Sequence, residues 1–227
     1  MLVLSLDTTT RAGSIAVVDG DRVLSEIVGD AARTHGERLP GDLMRALDAC
    51  AIGPGALDLL AVAAGPGSFT GIRVGISAIQ GLAMALDRSV VAISALDALA
   101  IAGARARASI AAWMDAQRGQ VFAALYEDDA TLPLVEPTAY SPIETLDAWA
   151  ARGHTPRRFI GDGAVRYAET IRARLGPETE ILSPPPLAGI IGRLASRGPE
   201  RATAPHAVVS IYVRKPDAEL ARDRQRE

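Results

Sequence analysis

The sequence predicts an α/β fold, with helices covering mixed β-sheets, built in two halves that open alike. Three observations lead there. Short apolar runs near the start are joined by Asp19-Gly20-Asp21, the mark of a tight antiparallel hairpin. From residue 37 onward, stretches with apolar residues at helical spacing alternate with short buried-strand runs. Lastly, a strand ending in Asp, a polar turn containing glycine and a returning strand occur twice, at Asp7 and at Asp115, which hints at an internal duplication.

Taken in order, VLSLD (3–7) is a strand and SIAVVDGDRVLSEIV (14–28) a hairpin, so the chain opens with three antiparallel strands. Leu39, Leu43, Leu47 and Cys50 recur at helical spacing over 37–50, with Pro40 assigned to the first turn, where its missing N–H costs little. IGPGALD (52–58) is a break and LLAVAAG (59–65) a buried strand. PGSFTG then turns the chain into a helix reaching Leu86. A strand over 89–94 and a helix over 95–107 complete the first half. The second half reads as strands at 109–115 and 120–128, helices at 142–152, 164–175 and 186–198, and strands at 157–163 and 179–182. Beyond Pro216 the chain is mostly charged and is expected to be frayed.

Composition narrows the chemistry. The 227 residues are 48% hydrophobic and 22% charged, an ordinary globular balance in which Ala, Val, Leu and Ile must build the core because aromatics supply only 4%. A net charge of −3 with scattered basic residues argues against nucleic acid as an unaided ligand. Lys215 is the one lysine, so no P-loop ending in Gly-Lys-Ser/Thr exists. The single Cys50 excludes an internal disulfide and reads as a small core residue in a reducing compartment. With no signal-like leader and no apolar run of membrane-spanning length, a cytoplasmic protein is expected.

Two stretches are candidate sites. In LDTTTRAGS, Asp7, Thr8, Thr9 and Gly13 could present hydroxyls and backbone N–H groups to a phosphate, with Asp115 as the second-half counterpart; the alternative is a hairpin loop rich in turn formers. In AAGPGSFTGIRVGISAIQGLAMAL, Gly65, Pro66 and Gly67 make a tight turn and Ser68 or Thr70 caps the helix. The stripe Ile72, Ile76, Ile79, Ala83 and Leu86, alternating with Gly71 and Gly75, either faces the chain's own sheet or joins Leu39, Leu43 and Leu47 in a two-helix ledge for a partner. His35, His154 and His206 fall in no metal-binding spacing, and no nucleophile elbow occurs. Gly-Asp-Gly at 161–163 is a weak nucleotide signal.

These stretches, with RTHGERLPGDLMRALD, MDAQRGQVFAALY, FIGDGA and IYVRKPDA, occur in an order that resembles the TsaB family, over residues 2 to about 218. GPGSFTGIRVG is its most specific element. The resemblance implies a two-lobed actin-like ATPase and sugar kinase fold: a first lobe at 1–107, a second at 108–215 and a flexible tail at 216–227. It implies a non-catalytic subunit for threonylcarbamoyl transfer to tRNA, which binds the metal-bearing paralogue TsaD together with the ATPase TsaE, and reaches tRNA only through that complex. The family's interface helices correspond here to 39–50 and 70–86, giving Leu39, Leu43, Leu47, Ile72, Gly75, Ile76, Ile79 and Ala83 as expected contacts. In isolation a homodimer through the same surface is expected. No metal and no cofactor are expected, with ATP or ADP entering only at the level of the complex. Asp7, Thr8, Thr9, Gly13 and Asp115 become a vestigial nucleotide site, since Ala116, Gln117 and Arg118 would crowd a phosphate. The alternative is a small ATPase or kinase using Asp7 and Asp115; a metallopeptidase is poorer still for want of ligands.

Overall fold

The structure is a computed structural model that describes residues 1–105, 108–127 and 132–214. The first half contains strands β1 (Leu2–Asp7), β2 (Ser14–Asp19) and β3 (Arg22–Val28), helix α1 (His35–Asp48), β4 (Leu59–Gly65), α2 (Phe69–Leu86), β5 (Val90–Ser94) and α3 (Ala95–Gly103). The second contains β6 (Ile110–Asp115), β7 (Val121–Tyr126), β8 (Pro133–Tyr140), α4 (Pro142–Ala150), β9 (Arg158–Ile160), α5 (Asp162–Arg166), α6 (Ala168–Leu175), β10 (Glu180–Leu182) and α7 (Ala188–Arg197). The sheets run β3-β2-β1-β4-β5 and β8-β7-β6-β9-β10, each with two antiparallel pairings followed by two parallel ones. The duplication sensed at Asp7 and Asp115 therefore extends through both sheets, and the fold is the two-lobed actin-like ATPase and sugar kinase type.

Three apolar cores stack through the molecule. Helices α1 and α2 cover one face of the first sheet through Leu39, Leu47, Ile72 and Ile79. The outer face of the second sheet is closed around Trp113, Trp149 and Phe159 by α4 and α6. Between the sheets lie α3 and α7, packed against residues of both, such as Val18 and Ala112. Here the halves trade elements: α7 packs on β1 and β2, while α3 packs on β6. Residues 188–197 thus belong physically to the first lobe, which corrects the assignment of all of 108–215 to the second.

Several local expectations are also revised. Helix α1 begins at His35, so Pro40 lies in its second turn and deprives the Gly36 carbonyl of a donor; Gly36 is exposed, so water can replace it. Helix α3 ends at Gly103, where close approach to Ile110 and Ile160 leaves no room for a side chain; Arg107 and the charged tail lie outside the described residues. The single helix expected over 164–175 breaks at Tyr167 (φ −107°), because α5 is held at β6 while α6 turns to pack Ile171 against the second sheet. Strand β8 was not anticipated. It carries Pro133 and Pro137, which an edge strand tolerates, and its pairing with β7 shifts register around Pro137. Finally, α2 is long and apolar enough to cross a membrane by length and composition, contrary to expectation. Its buried stripe packs on the first sheet, which makes it a core helix of that lobe.

Candidate functional site

The two strands that end in Asp open onto a shared cleft of about 900 Å³ between the lobes, lined by Thr9, Arg11, His35, Asp115, Asp162 and Arg214 among others. Each Asp folds its own turn. Asp7 Oδ1 accepts from the Thr9 amide (2.8 Å) and from Thr9 Oγ1 (2.6 Å). Asp115 Oδ1 accepts from the Gln117 amide (3.0 Å), and its Oδ2 from Gln117 Nε2 (2.9 Å) and from Arg166 (2.8 Å). The sequence-predicted residues Asp7, Thr8, Thr9 and Gly13 are thus brought together in one turn, and Asp115 faces them from the other lobe. Asp7, Thr8 and Thr9 are buried, however, and the donors of that turn have internal acceptors. The Gly13 amide donates to Thr10 Oγ1, and Ser68 donates to the Thr9 carbonyl (2.8 Å).

Three side chains around the cleft escaped the sequence reading. Asp162, in the weak Gly-Asp-Gly signal, accepts from the amides of Asp115 (3.1 Å) and Gly163 (2.9 Å) and so fastens α5 to the end of β6. His35 and Arg38, one turn apart on α1, hold the other side of the first turn. His35 Nε2 lies 3.0 Å from the Thr10 carbonyl and its Nδ1 2.8 Å from an Arg38 nitrogen, which fixes a neutral ring with the proton on Nε2. The Arg38 guanidinium also donates to the Ala12 carbonyl and pairs with Asp42 at 2.6 Å, both charges being buried. Burial raises the Asp7 carboxyl above the usual range, Thr9 offsetting part of the shift, and burial likewise raises Asp162. Burial and the adjacent Arg38 push His35 down. No group of three His, Cys, Asp or Glu placed to hold a metal occurs among the described residues.

The glycines of α2 have a specific task. A methyl at Gly71 would overlap the Thr8 carbonyl, one at Gly75 the Thr8 hydroxyl, and one at Gly67 would come within 2.5 Å of Thr9 Cβ. These glycines let α2 lie directly on the Asp7–Thr9 turn. The helix thus occupies, from behind, the space a looser turn would need to close around a phosphate.

The same packing revises the expected contact residues. Leu39, Leu47, Ile72, Gly75, Ile76, Ile79 and Ala83 are buried in this chain's own core, and Leu43 is half-buried beside them. The stripe serves the sheet, the ordinary fate of an amphipathic helix. What the helix pair leaves outward is its other face: Gly41 and Met44 on α1, and Arg73, Ser77, Gly81, Met84 and Ala85 on α2. Met84 is 70% exposed and Met44 49%, and nothing lies within 4 Å of a methyl placed at Gly41 or Gly81. The result is a low ledge of small residues flanked by two flexible thioethers, and Arg73 is its one charge on α2.

Comparison with known proteins agrees with this architecture. A family model described as TsaD, tRNA N6-adenosine threonylcarbamoyltransferase, matches residues 27–165. The chain is 29% identical over 221 residues to the tRNA threonylcarbamoyladenosine biosynthesis protein TsaB of Bacillus subtilis, covering 96% of each chain. It is 30% identical over 218 residues to an uncharacterized protein of Mycobacterium bovis, covering 95% of this chain and 93% of that one. The solved YeaZ of Pseudomonas aeruginosa superposes with a TM-score of 0.74 at 28% identity, over 93% of this chain and 99% of that one. At 12% identity and a TM-score of 0.55, an activator of 2-hydroxyisocaproyl-CoA dehydratase from Clostridium difficile shares the fold alone, over 93% of this chain and all of its own. Twin sheets, an internally satisfied first turn and these full-length matches converge: the chain belongs to the TsaB (YeaZ-type) family, whose members carry a TsaD-like domain.

Proposed function

We propose that this chain is the accessory subunit of tRNA threonylcarbamoyladenosine biosynthesis, presenting the outward face of α1 and α2 to the catalytic paralogue TsaD and acting with TsaE. The observation that carries the reading is the ledge itself. Its Gly41, Ser77, Gly81 and Ala85 allow a helix to approach closely, and Met44 and Met84 adapt their shape at its margin. The names of relatives such as the Bacillus subtilis protein support the process, and the TsaD family match supports a paralogue as partner. On this reading the chain turns over nothing by itself, needs no cofactor or metal of its own, and meets tRNA only inside the assembly. The alternative, a small ATPase using Asp7 and Asp115, is disfavoured by the internally engaged carboxylates and turn amides. A Pseudomonas aeruginosa relative bears a printed likeness to a peptidase, and nothing in this cleft assembles a nucleophile with a base.

The test is copurification with TsaD. Met84→Glu and Gly81→Glu should abolish the heterodimer, because an unpaired charge buried at an apolar contact costs about 2–7 kcal/mol. Both positions are solvent-exposed in the free chain, so circular dichroism and melting temperature should stay unchanged. Retention of TsaD by both variants would place the interface elsewhere. Sedimentation of the free chain tests whether the same face makes a homodimer, which the two variants should dissociate. ATP titration by calorimetry, with heat lost in Asp7→Ala, would favour the ATPase instead.

A further inference from the structure

Residues 208–214 cross from one lobe to the other over the cleft, and we infer that they form a built-in strap that fixes the angle between the lobes. The strap is rooted in the first lobe. Val208 is only 6% exposed, and Gln80 Nε2 donates to the carbonyls of Pro205 (2.9 Å) and Val208 (3.3 Å). The Ile211 amide donates to the Ala64 carbonyl at 2.7 Å, at the end of β4. Gly65 makes room for that crossing, since a methyl there would come within 2.6 Å of the Ile211 carbonyl oxygen. Tyr212 stacks against Phe69 with ring centroids 5.7 Å apart, and its hydroxyl accepts from Arg73 Nε at 3.2 Å.

Two residues later the chain is attached to the other lobe. Arg214 donates to Gln120 Oε1 at 2.8 Å, and its guanidinium carbon lies 5.9 Å from the centre of the Phe122 ring on β7. Two residues span at most about 7 Å, so the crossing has little slack. On the far side of the cleft the lobes are already joined through the shared core around α3 and α7. A hinge opening about that core would separate Tyr212 from Arg214's partners and must break one anchor. The chain therefore carries its own restraint on the motion by which two-lobed folds open and close.

The test measures the inter-lobe distance directly. In a Cys50→Ser background, spin labels at Ala32→Cys and Ile143→Cys place one exposed reporter on each lobe, and pulsed electron spin resonance gives the distance distribution. The intact strap should give one narrow distribution. Arg214→Ala should broaden it, with Gln120→Ala reproducing the effect and Tyr212→Phe, which keeps the ring, leaving it narrow. Amide exchange at Ile211 should rise by up to about tenfold in Arg214→Ala, the scale of losing one side-chain hydrogen bond. A distribution unchanged in both Arg214→Ala and Gln120→Ala overturns the inference, and so does exchange at Ile211 that does not respond. Neither readout involves TsaD, so the result stands apart from the docking test.

Discussion

Gly75→Ala isolates the role assigned to the α2 glycines. In an open helical position the change should stabilise the protein by ~1 kcal/mol, since glycine is that much the poorer helix former. Gly81, with nothing within 4 Å of an added methyl, is the internal control and should show that gain. At Gly75 the methyl overlaps the hydroxyl of Thr8, a side chain with no exposed surface and no hydrogen-bond partner for its oxygen. Overpacking of that kind costs ~1–3 kcal/mol, which outweighs or at least cancels the helical gain, for a net loss of up to ~2 kcal/mol. Thr8→Ala removes the obstructing oxygen, so the double variant should be more stable than the two single changes sum to, by ~1 kcal/mol or more. Urea denaturation of the four proteins measures this, and in a chain of this size each kcal/mol also moves the melting temperature by ~2–4 °C. If Gly75→Ala stabilises as much as Gly81→Ala, with no interaction with Thr8, the glycine is not there for close approach.

Ile79, fully buried under α2, should cost ~2–5 kcal/mol on change to Ala, as a core residue does and a surface contact does not; thermal denaturation of the free chain checks it. Asp7 has its folded carboxyl raised above the unfolded value by burial, so the folded state holds its proton longer and stability from this group falls as pH rises through that interval. Asp7→Asn, which keeps an acceptor for the Thr9 amide, should therefore gain stability relative to wild type at pH 7 and lose that advantage toward pH 4; an advantage that does not depend on pH contradicts the assignment. His35 has the opposite sign. Its folded value is lowered, so its contribution is complete above the unfolded value of about 6.5 and is lost as pH falls below it. The stability gap between wild type and His35→Gln should accordingly narrow between pH 7.5 and pH 5 in urea titrations.

Much of the fold could be read from the sequence because its signals are local. The Asp-Gly-Asp turn fixes the first hairpin, and alternating strand and helix runs imply parallel strands with covering helices. What stayed hidden was non-local. Strand β8 looks like a loop because its prolines are acceptable only at a sheet edge, and nothing local says where the edge is. The stripe on α2 has the same spacing whether it faces a sheet or a partner, so burial alone could decide it. Likewise the glycines at 71 and 75 announce a close neighbour without saying that it is Thr8, more than sixty residues earlier. At the cleft, Asp7 and Asp115 stood out as strand ends, whereas His35, Arg38 and Asp162 act on turns distant in sequence and left only faint marks.

The exchange of α3 and α7 between the halves has a consequence for synthesis. The inner face of the first sheet stays bare until residues near Arg197 have left the ribosome, and the second sheet leans on a helix made long before it. Neither half should therefore persist when expressed separately, yet the two fragments, cut near the residue 105–108 junction and produced together, have what they need to complete one another.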